Sequence, residues 1–214
     1  MADGRDTGTD PVHDAVDFGI PGAQLQPGDH VCAFFFGLAE RDDILLPYLR
    51  QGLRDGDKCL CIVDASEPST VISGIGDGVN VDGAVRSRQL EVLRATQAYL
   101  RTGEFSTNQM IDFFRETVGT ATASGGYDFA RVAGETTWLF DDPPGADEFV
   151  EYESELNRYT TQYPQSILCL YDLERFGGGM MVDLIKTHPK LLLGGLLIDN
   201  PHYLSPDEFR ATRR

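Results

Sequence analysis

The sequence predicts an α/β fold of three layers, in which a mainly parallel β-sheet carries helices on both faces. Short continuous apolar runs, such as residues 31–36 and 58–63, are typical of strands that are buried on both sides. Amphipathic helical stretches alternate with these runs, and that alternation indicates βαβ units. The length of 214 residues suits one such domain.

Each predicted strand is a short apolar run, and most of these runs end at a glycine or an acidic residue. In chain order the predicted strands are 31–36, 58–63, 89–93, 127–133, 166–171 and the closing strand or strand pair 191–198. The predicted helices carry apolar side chains at intervals of three and four residues, or begin at a typical start signal. They are 41–55, a helix that starts near Ser66 and Pro68, 107–120, 147–163 and 179–187.

The charge of the chain excludes some partners. Asp and Glu total 34 against 18 Lys and Arg, which gives a net charge of −16. Nucleic acids and anionic membranes are bound through basic side chains, so we expect no direct contact with either. No apolar run is long enough to cross a bilayer, and residues 1–6 do not resemble a signal peptide. We therefore expect a cytoplasmic protein with reduced cysteines.

Nucleotide binding of the usual kind is not predicted. After the first strand the chain reads FGLAERDD over residues 36–43, without the lysine and the glycine-rich cradle of a phosphate-binding loop. Its three acidic residues would repel phosphates. The glycine-rich stretches 74–78 and 177–179 are better explained as loops.

Ligands of parallel sheets gather beyond the carboxyl ends of the strands. Glu135 and Asp172 stand at two of these ends, and Trp138, the only tryptophan, follows closely. Two neighbouring carboxylates could perform acid/base chemistry. They could equally cap helices or order a loop, and Trp138 could simply belong to the core.

The cysteines allow a second kind of site. Cys59 and Cys61 point to one face of their strand, and with His30 and Cys32 on a neighbouring strand a metal or redox cluster is conceivable. Buried cysteines more commonly behave as small hydrophobic residues. We accordingly predict no bound metal and no cofactor.

Several segments, taken in their order, resemble the MEDS family of sensory domains. They are HVCAFF (30–35), YLRQGLRDGDKCLCIVD (48–64), GETTW (134–138), YE (152–153), CLYD (169–172) with Phe176, THP (187–189) and NPHY (200–203). The resemblance implies a RecA/KaiC-like core that has lost its phosphate loop. It also implies signal sensing in the control of transcription or sigma factors.

The domain organisation is predicted from two observations: residues 1–27 are rich in aspartate, glycine and proline, and the resemblance covers about residues 28–209. Residues 1–27 are expected to be a flexible acidic tail, 28–209 a single sensory domain and 210–214 a C-terminal tail. Because so few residues follow the domain, we expect the output to pass through a protein partner. A homodimer is a further expectation.

The predicted function is a non-enzymatic sensor of a small organic signal. Its candidate ligand-binding residues are His30, Phe35, Glu135, Trp138, Tyr152, Glu153, Tyr171, Asp172, His188, Asn200 and Tyr203. Two alternatives stay open. One is a degenerate nucleotide-binding protein or hydrolase that uses Glu135 and Asp172, and the other is an interaction module without a ligand.

Overall fold

The structure, a computed structural model, describes residues 15–213. It contains nine strands in these residues. They are β1 (Val16–Asp17), β2 (Gln24–Leu25), β3 (His30–Phe35), β4 (Lys58–Val63), β5 (Leu90–Arg94), β6 (Ala130–Glu135), β7 (Gln165–Asp172), β8 (Lys190–Leu193) and β9 (Leu196–Asp199).

Seven of the strands form the central sheet, in the order β5-β4-β6-β7-β3-β8-β9. All neighbours run parallel except β8 and β9, which form an antiparallel hairpin through Gly194 and Gly195 at the edge. Strands β3 and β7 lie side by side near the middle, with Cys32 paired to Cys169 and Phe35 to Asp172. The predicted mainly parallel sheet is therefore confirmed.

Helices cover both faces, as predicted. They are α1 (Gly37–Asp55), α2 (Pro68–Gly74), α3 (Val81–Arg86), α4 (Thr107–Phe114), α5 (Thr120–Ala123), α6 (Phe149–Thr160), α7 (Gly178–Thr187) and α8 (Pro206–Thr212). A π-helical turn at Arg115–Gly119 joins α4 to α5. One apolar core lies under α1, α2 and α3, and the other lies under α4, α6 and α7.

The predicted N-terminal tail is in fact folded where the structure describes it. Strands β1 and β2 form a small antiparallel hairpin, and Phe18 and Leu25 are fully buried in the core under α1. Two-residue strands carry no periodicity, so no pattern in the sequence indicates them. The remainder of the predicted tail, residues 1–14, lies outside the described residues. At the other end, α8 continues to Thr212, so the predicted tail from residue 210 is helical for its first residues.

A buried arginine ties this hairpin to the sheet. Arg131 of β6 is fully buried, and its guanidinium donates to Asp57 at 2.7 Å and to Asp55 at 2.9 Å. It also donates to the backbone carbonyl of Asp17 at 2.7 Å. The charge of Arg131 is thus balanced inside the protein, as burial of a charge requires.

In the part of the chain that the structure covers, no helix has both the length and the apolar character that a membrane span needs.

Candidate functional site

The connection from β3 to α1 lies at the carboxyl edge of the sheet, in the position where a phosphate-binding loop would be expected. Helix α1 begins at Gly37, and only Phe36 separates it from the end of β3, which leaves no room for a glycine-rich loop. The backbone N–H of Phe36 donates to the Glu40 carboxylate at 2.8 Å. An acidic side chain of this protein therefore takes the place at the helix N-terminus where an anion could bind.

An internal ion pair fills the space behind this turn. Arg41 and Glu135 are both buried and bond to each other through one carboxylate oxygen. The other oxygen of Glu135 accepts the N–H groups of Asp64 at 2.7 Å and Ala65 at 2.9 Å. Arg41 also donates to Ser66 at 2.8 Å. Both oxygens of Glu135 are thus occupied by interactions that hold the ends of β4 and β6 together.

Glu135 and Asp172, the two strand-end carboxylates, share no hydrogen-bond partner in the described residues. The Asp172 carboxylate instead accepts the backbone N–H of Glu174 at 3.0 Å, which orders the turn after β7. The two carboxylates have the structural roles that the sequence offered as the alternative.

Four other chemically reactive side chains meet in the interior, on the face that α6 and α7 cover. They are His30, Glu153, Cys169 and His188, which we call the buried cluster. All are at most 3% exposed, and one atom from each lies within 4.8 Å of the others.

Distant parts of the chain supply the cluster. His30 opens β3, and Cys169 lies on the neighbouring strand β7, on the same face of the sheet. Glu153 projects from α6, and His188 directly follows α7. Helix packing against β3 and β7 therefore brings the four side chains together.

One oxygen of Glu153, Oε2, is at the centre of the cluster. It lies 3.2 Å from Nε2 of His30, 3.3 Å from Nε2 of His188 and 3.5 Å from Sγ of Cys169. Sγ of Cys169 is also 3.3 Å from Nε2 of His30. The hydroxyl of Tyr171 lies 3.5 Å from Nε2 of His188.

The interior changes the acidity of these groups. Burial acts to raise the pKa of Glu153, but its bonds to His188 and His30 outweigh burial and lower that pKa to about 2. Burial and the adjacent His188 lower the pKa of His30. Burial, together with the Glu153 charge, raises the pKa of the Cys169 thiol well above its ordinary value.

Trp138 and Tyr152, two further predicted contacts, belong to an aromatic group in the same core. The Trp138 ring stacks on Tyr99 with centroids 5.1 Å apart and meets Phe149 edge-on at 5.5 Å. Phe105 packs between Trp138 and Tyr152. Among residues 15–213, the buried indole N–H of Trp138 finds no hydrogen-bond acceptor.

The remaining predicted contacts are dispersed. Phe35 faces the core under α1, on the opposite side of the sheet from the buried cluster. Asn200 donates to the carbonyls of Ile185 and His188, at 2.6 and 2.7 Å, and so fixes the chain that carries His188. Tyr203 is half-buried after β9. Phe35 therefore does not join the buried cluster.

The possible metal or redox cluster of His30, Cys32, Cys59 and Cys61 does not form. Cys59 and Cys61 face the core under α1, whereas His30 and Cys32 face the core under α6 and α7. The cysteine that does contact His30 is Cys169, which the sequence placed only in a strand.

Comparison with known proteins assigns the family. Residues 29–189 match the MEDS family, the MEthanogen/methylotroph, DcmR Sensory domain. The transcriptional repressor DcmR of Methylorubrum extorquens is 28% identical over 180 residues, which are 84% of this chain and 65% of DcmR. The chain thus spans just under two thirds of that relative's length.

A solved structure supports the fold. A KaiC-like protein from Pyrococcus horikoshii superposes with a TM-score of 0.60, over 85% of this chain and 80% of the other. At 11% identity this likeness shows the fold alone. The expected KaiC-like core is confirmed. With most of its length matched, the chain belongs to the MEDS family of sensory domains, and its role is sensory or regulatory.

Proposed function

We propose that this MEDS domain senses a small organic molecule without enzymatic turnover and passes the signal to a partner protein that controls transcription or a sigma factor. The observation that carries the ligand proposal is the buried N–H of Trp138, which has no acceptor in the described residues. A buried donor without a partner is costly, and a bound molecule with an acceptor atom would satisfy it.

The surroundings of Trp138 favour a particular ligand chemistry. The rings of Tyr99, Phe105 and Phe149 pack on the indole, so the ligand would be mainly apolar with one acceptor group. The rings are closely packed, and a ligand must therefore select a more open arrangement. Binding that differs in affinity between closed and open states would shift their populations and change the surface offered to a partner.

Exposed apolar side chains support a partner surface at the carboxyl edge of the sheet. Phe36 and Leu38 follow β3, and Met180 and Val182 begin α7, which follows the neighbouring strand β7. Large apolar side chains that remain exposed are typical of binding surfaces. The partner would therefore dock where the strands end.

Two measurements test the ligand proposal. Because Trp138 is the only tryptophan, its fluorescence reports directly on the proposed pocket. Small hydrocarbon derivatives and related metabolites would be titrated into the protein while fluorescence and thermal unfolding are recorded. We expect a saturable change in emission and a raised melting temperature with one chemical class.

The variant Trp138→Phe keeps the aromatic packing but removes the N–H. It should weaken binding about 5- to 30-fold, as measured by calorimetry, because one hydrogen bond of about 1–2 kcal/mol is lost. Phe114→Leu, a change in the same core away from Trp138, should leave the affinity unchanged. Equal affinities in the wild type and Trp138→Phe would contradict the proposed contact.

The alternatives make different predictions. A hydrolase would turn over ATP in the presence of magnesium, and Glu135→Gln would abolish the activity; the engagement of both Glu135 oxygens disfavours this. An interaction module without a ligand would bind its partner with equal affinity whatever metabolite is added. Light scattering would decide whether that partner is a second copy of the chain.

A further inference from the structure

We propose that the buried cluster of His30, Glu153, Cys169 and His188 is a closed tetrahedral binding site for one divalent transition-metal ion, of which Zn²⁺ fits the ligands best. This ion would bind independently of the proposed organic ligand near Trp138. The hydrogen bonds on the outer side of each imidazole are the first observation in its favour.

Those bonds fix the tautomer of His188. Its Nδ1 lies 2.7 Å from the backbone carbonyl of Leu184, which can only accept a hydrogen bond. Nδ1 therefore carries the hydrogen and donates it. In the neutral ring, Nε2 then presents a lone pair toward Glu153.

The tautomer of His30 is fixed in a similar way. Its Nδ1 lies 3.2 Å from the side-chain oxygen of Asn157, and the amide group of Asn157 donates to the carbonyls of Thr187 at 2.7 Å and Ser154 at 3.0 Å. The orientation of Asn157 is thus set by two acceptors, and its oxygen receives the hydrogen of His30. Nε2 of His30 is also left with a lone pair that points inward.

The inner side of the cluster consequently consists of acceptors. Two imidazole lone pairs and the carboxylate oxygen of Glu153 face one another at 3.2 and 3.3 Å, and the sulfur of Cys169 adjoins them. In the metal-free protein hydrogens must lie between these atoms: the Cys169 thiol donates to Glu153, and the bonds between Glu153 and the two imidazoles need a hydrogen on Nε2. A metal ion would take the place of these hydrogens and bond to all four atoms. The second oxygen of Glu153, Oε1, is buried and has no hydrogen-bond partner among the described residues, so it too is available to a cation.

The distances fit a tetrahedron around zinc. With Zn–N and Zn–O bonds of about 2.0–2.1 Å and a Zn–S bond of about 2.3 Å, ligand atoms are about 3.3–3.4 Å apart, or about 3.5 Å where one is sulfur. The measured separations around Glu153 Oε2 are 3.2 Å to His30, 3.3 Å to His188 and 3.5 Å to Cys169. These three edges agree with a zinc tetrahedron, and the ligand atoms of all four residues lie within 4.8 Å of one another.

Charge also favours a divalent ion. Glu153 as carboxylate and Cys169 as thiolate supply two negative charges, and the two neutral imidazoles supply none. An ion of charge +2 gives a neutral site, which burial in an apolar interior requires. Metal binding would release the thiol proton of Cys169 to solvent as the protein folds.

The chemistry of the ligand set points to a first-row ion rather than Mg²⁺ or Ca²⁺. Imidazole and thiolate bind zinc well, whereas magnesium and calcium prefer oxygen ligands. Four protein ligands leave no open position, which is typical of a structural zinc site. The ion would link β3 and β7 to α6 and to the end of α7.

The test is the metal content of the full chain, purified without an affinity tag from medium supplemented with zinc. We expect about one zinc per chain by elemental analysis. Cys169→Ala and His188→Gln should each reduce the content at least tenfold, whereas Cys61→Ala, which alters a buried strand cysteine on the opposite face of the sheet, should retain it.

Because ligand variants could fail to fold, cobalt provides a second measurement on the wild type. Protein refolded with Co²⁺ should show the intense visible absorption of a tetrahedral ion and a thiolate-to-cobalt charge-transfer band in the near ultraviolet. Wild-type protein that holds less than a tenth of an equivalent of zinc, or a weak octahedral cobalt spectrum without the thiolate band, would overturn the proposal.

Discussion

The imidazole rings of His30 and His188 lie with their centroids 4.1 Å apart, and both direct Nε2 toward the same oxygen of Glu153. The two histidines are far apart in the sequence: His30 opens β3, and His188 directly follows α7. Their convergence on one carboxylate shows that the packing of α6 and α7 on the sheet determines the polar interior. At the carboxyl edge of the sheet, the bonds of Glu135 to Arg41 and to the backbone after β4 play a similar structural role.

The buried pair of Arg41 and Glu135 should be essential for stability. Arg41→Met leaves the Glu135 charge buried without its cation, and we expect a loss of roughly 3–5 kcal/mol in the free energy of unfolding. Glu135→Gln should cost a similar amount, while the double variant should cost clearly less than the sum. Urea unfolding of the four proteins measures this coupling. Additive losses would show that the two side chains do not depend on each other.

A close approach between β6 and the segment after β5 provides a second prediction. A Cβ added at Gly134 would lie 2.1 Å from the hydroxyl oxygen of Tyr99, and the next atom of that ring lies 3.4 Å away. Gly134→Ala should therefore destabilise the protein by about 1–3 kcal/mol. Tyr99→Phe in the same chain should recover much of that loss, since it removes the clashing oxygen.

The control for this pair is Gly177→Ala. Nothing lies within 4 Å of a Cβ at Gly177, so this substitution should change the free energy of unfolding little. If Tyr99→Phe gave no recovery in the Gly134→Ala background, the close approach would not be the cause of the loss.

The N-terminal hairpin should depend on the core beneath it. Phe18 is fully buried, and its ring packs on Tyr48 with centroids 5.1 Å apart. Phe18→Ala should cost about 3–5 kcal/mol and make residues 15–27 more sensitive to limited proteolysis. Phe36→Ala, which truncates an exposed phenylalanine, serves as the control and should do neither. Unchanged proteolysis in Phe18→Ala would mean that the hairpin does not depend on this contact.

Glu91 should contribute to the pH dependence of stability. Burial acts to raise its pKa, but bonds from Lys58 and Arg88 outweigh burial and lower the pKa from its usual 4.5. A carboxylate with a lowered folded-state pKa stabilises the protein above its unfolded pKa and loses that contribution as the pH falls through the folded value. Below about pH 4.5, Glu91→Gln should therefore lose stability less steeply than the wild type in urea unfolding.

The sequence predicted the sheet well because its buried strands are continuous apolar runs. It predicted less of the site, because His30, Glu153 and His188 lie on three elements whose packing no spacing reveals. Asn157 was missed, although it stands one helical turn after Glu153 and so on the same face of α6. The four-residue spacing between Glu153 and Asn157 could have indicated that Asn157, too, lies beside His30. The pairing of Glu135 with Arg41 could not be predicted either, since it depends on the direction in which α1 leaves β3.

Native mass spectrometry of the purified wild-type chain is the sharpest test of the sensory role, because it detects a bound organic molecule whatever its chemical identity. We expect a single small organic adduct, retained from the cell or acquired from the metabolite class that raises the melting temperature, and a reduced adduct in Trp138→Phe. Spectra that show no organic adduct under either condition, from protein that still regulates its partner in cells, would contradict the proposed sensing of an organic ligand.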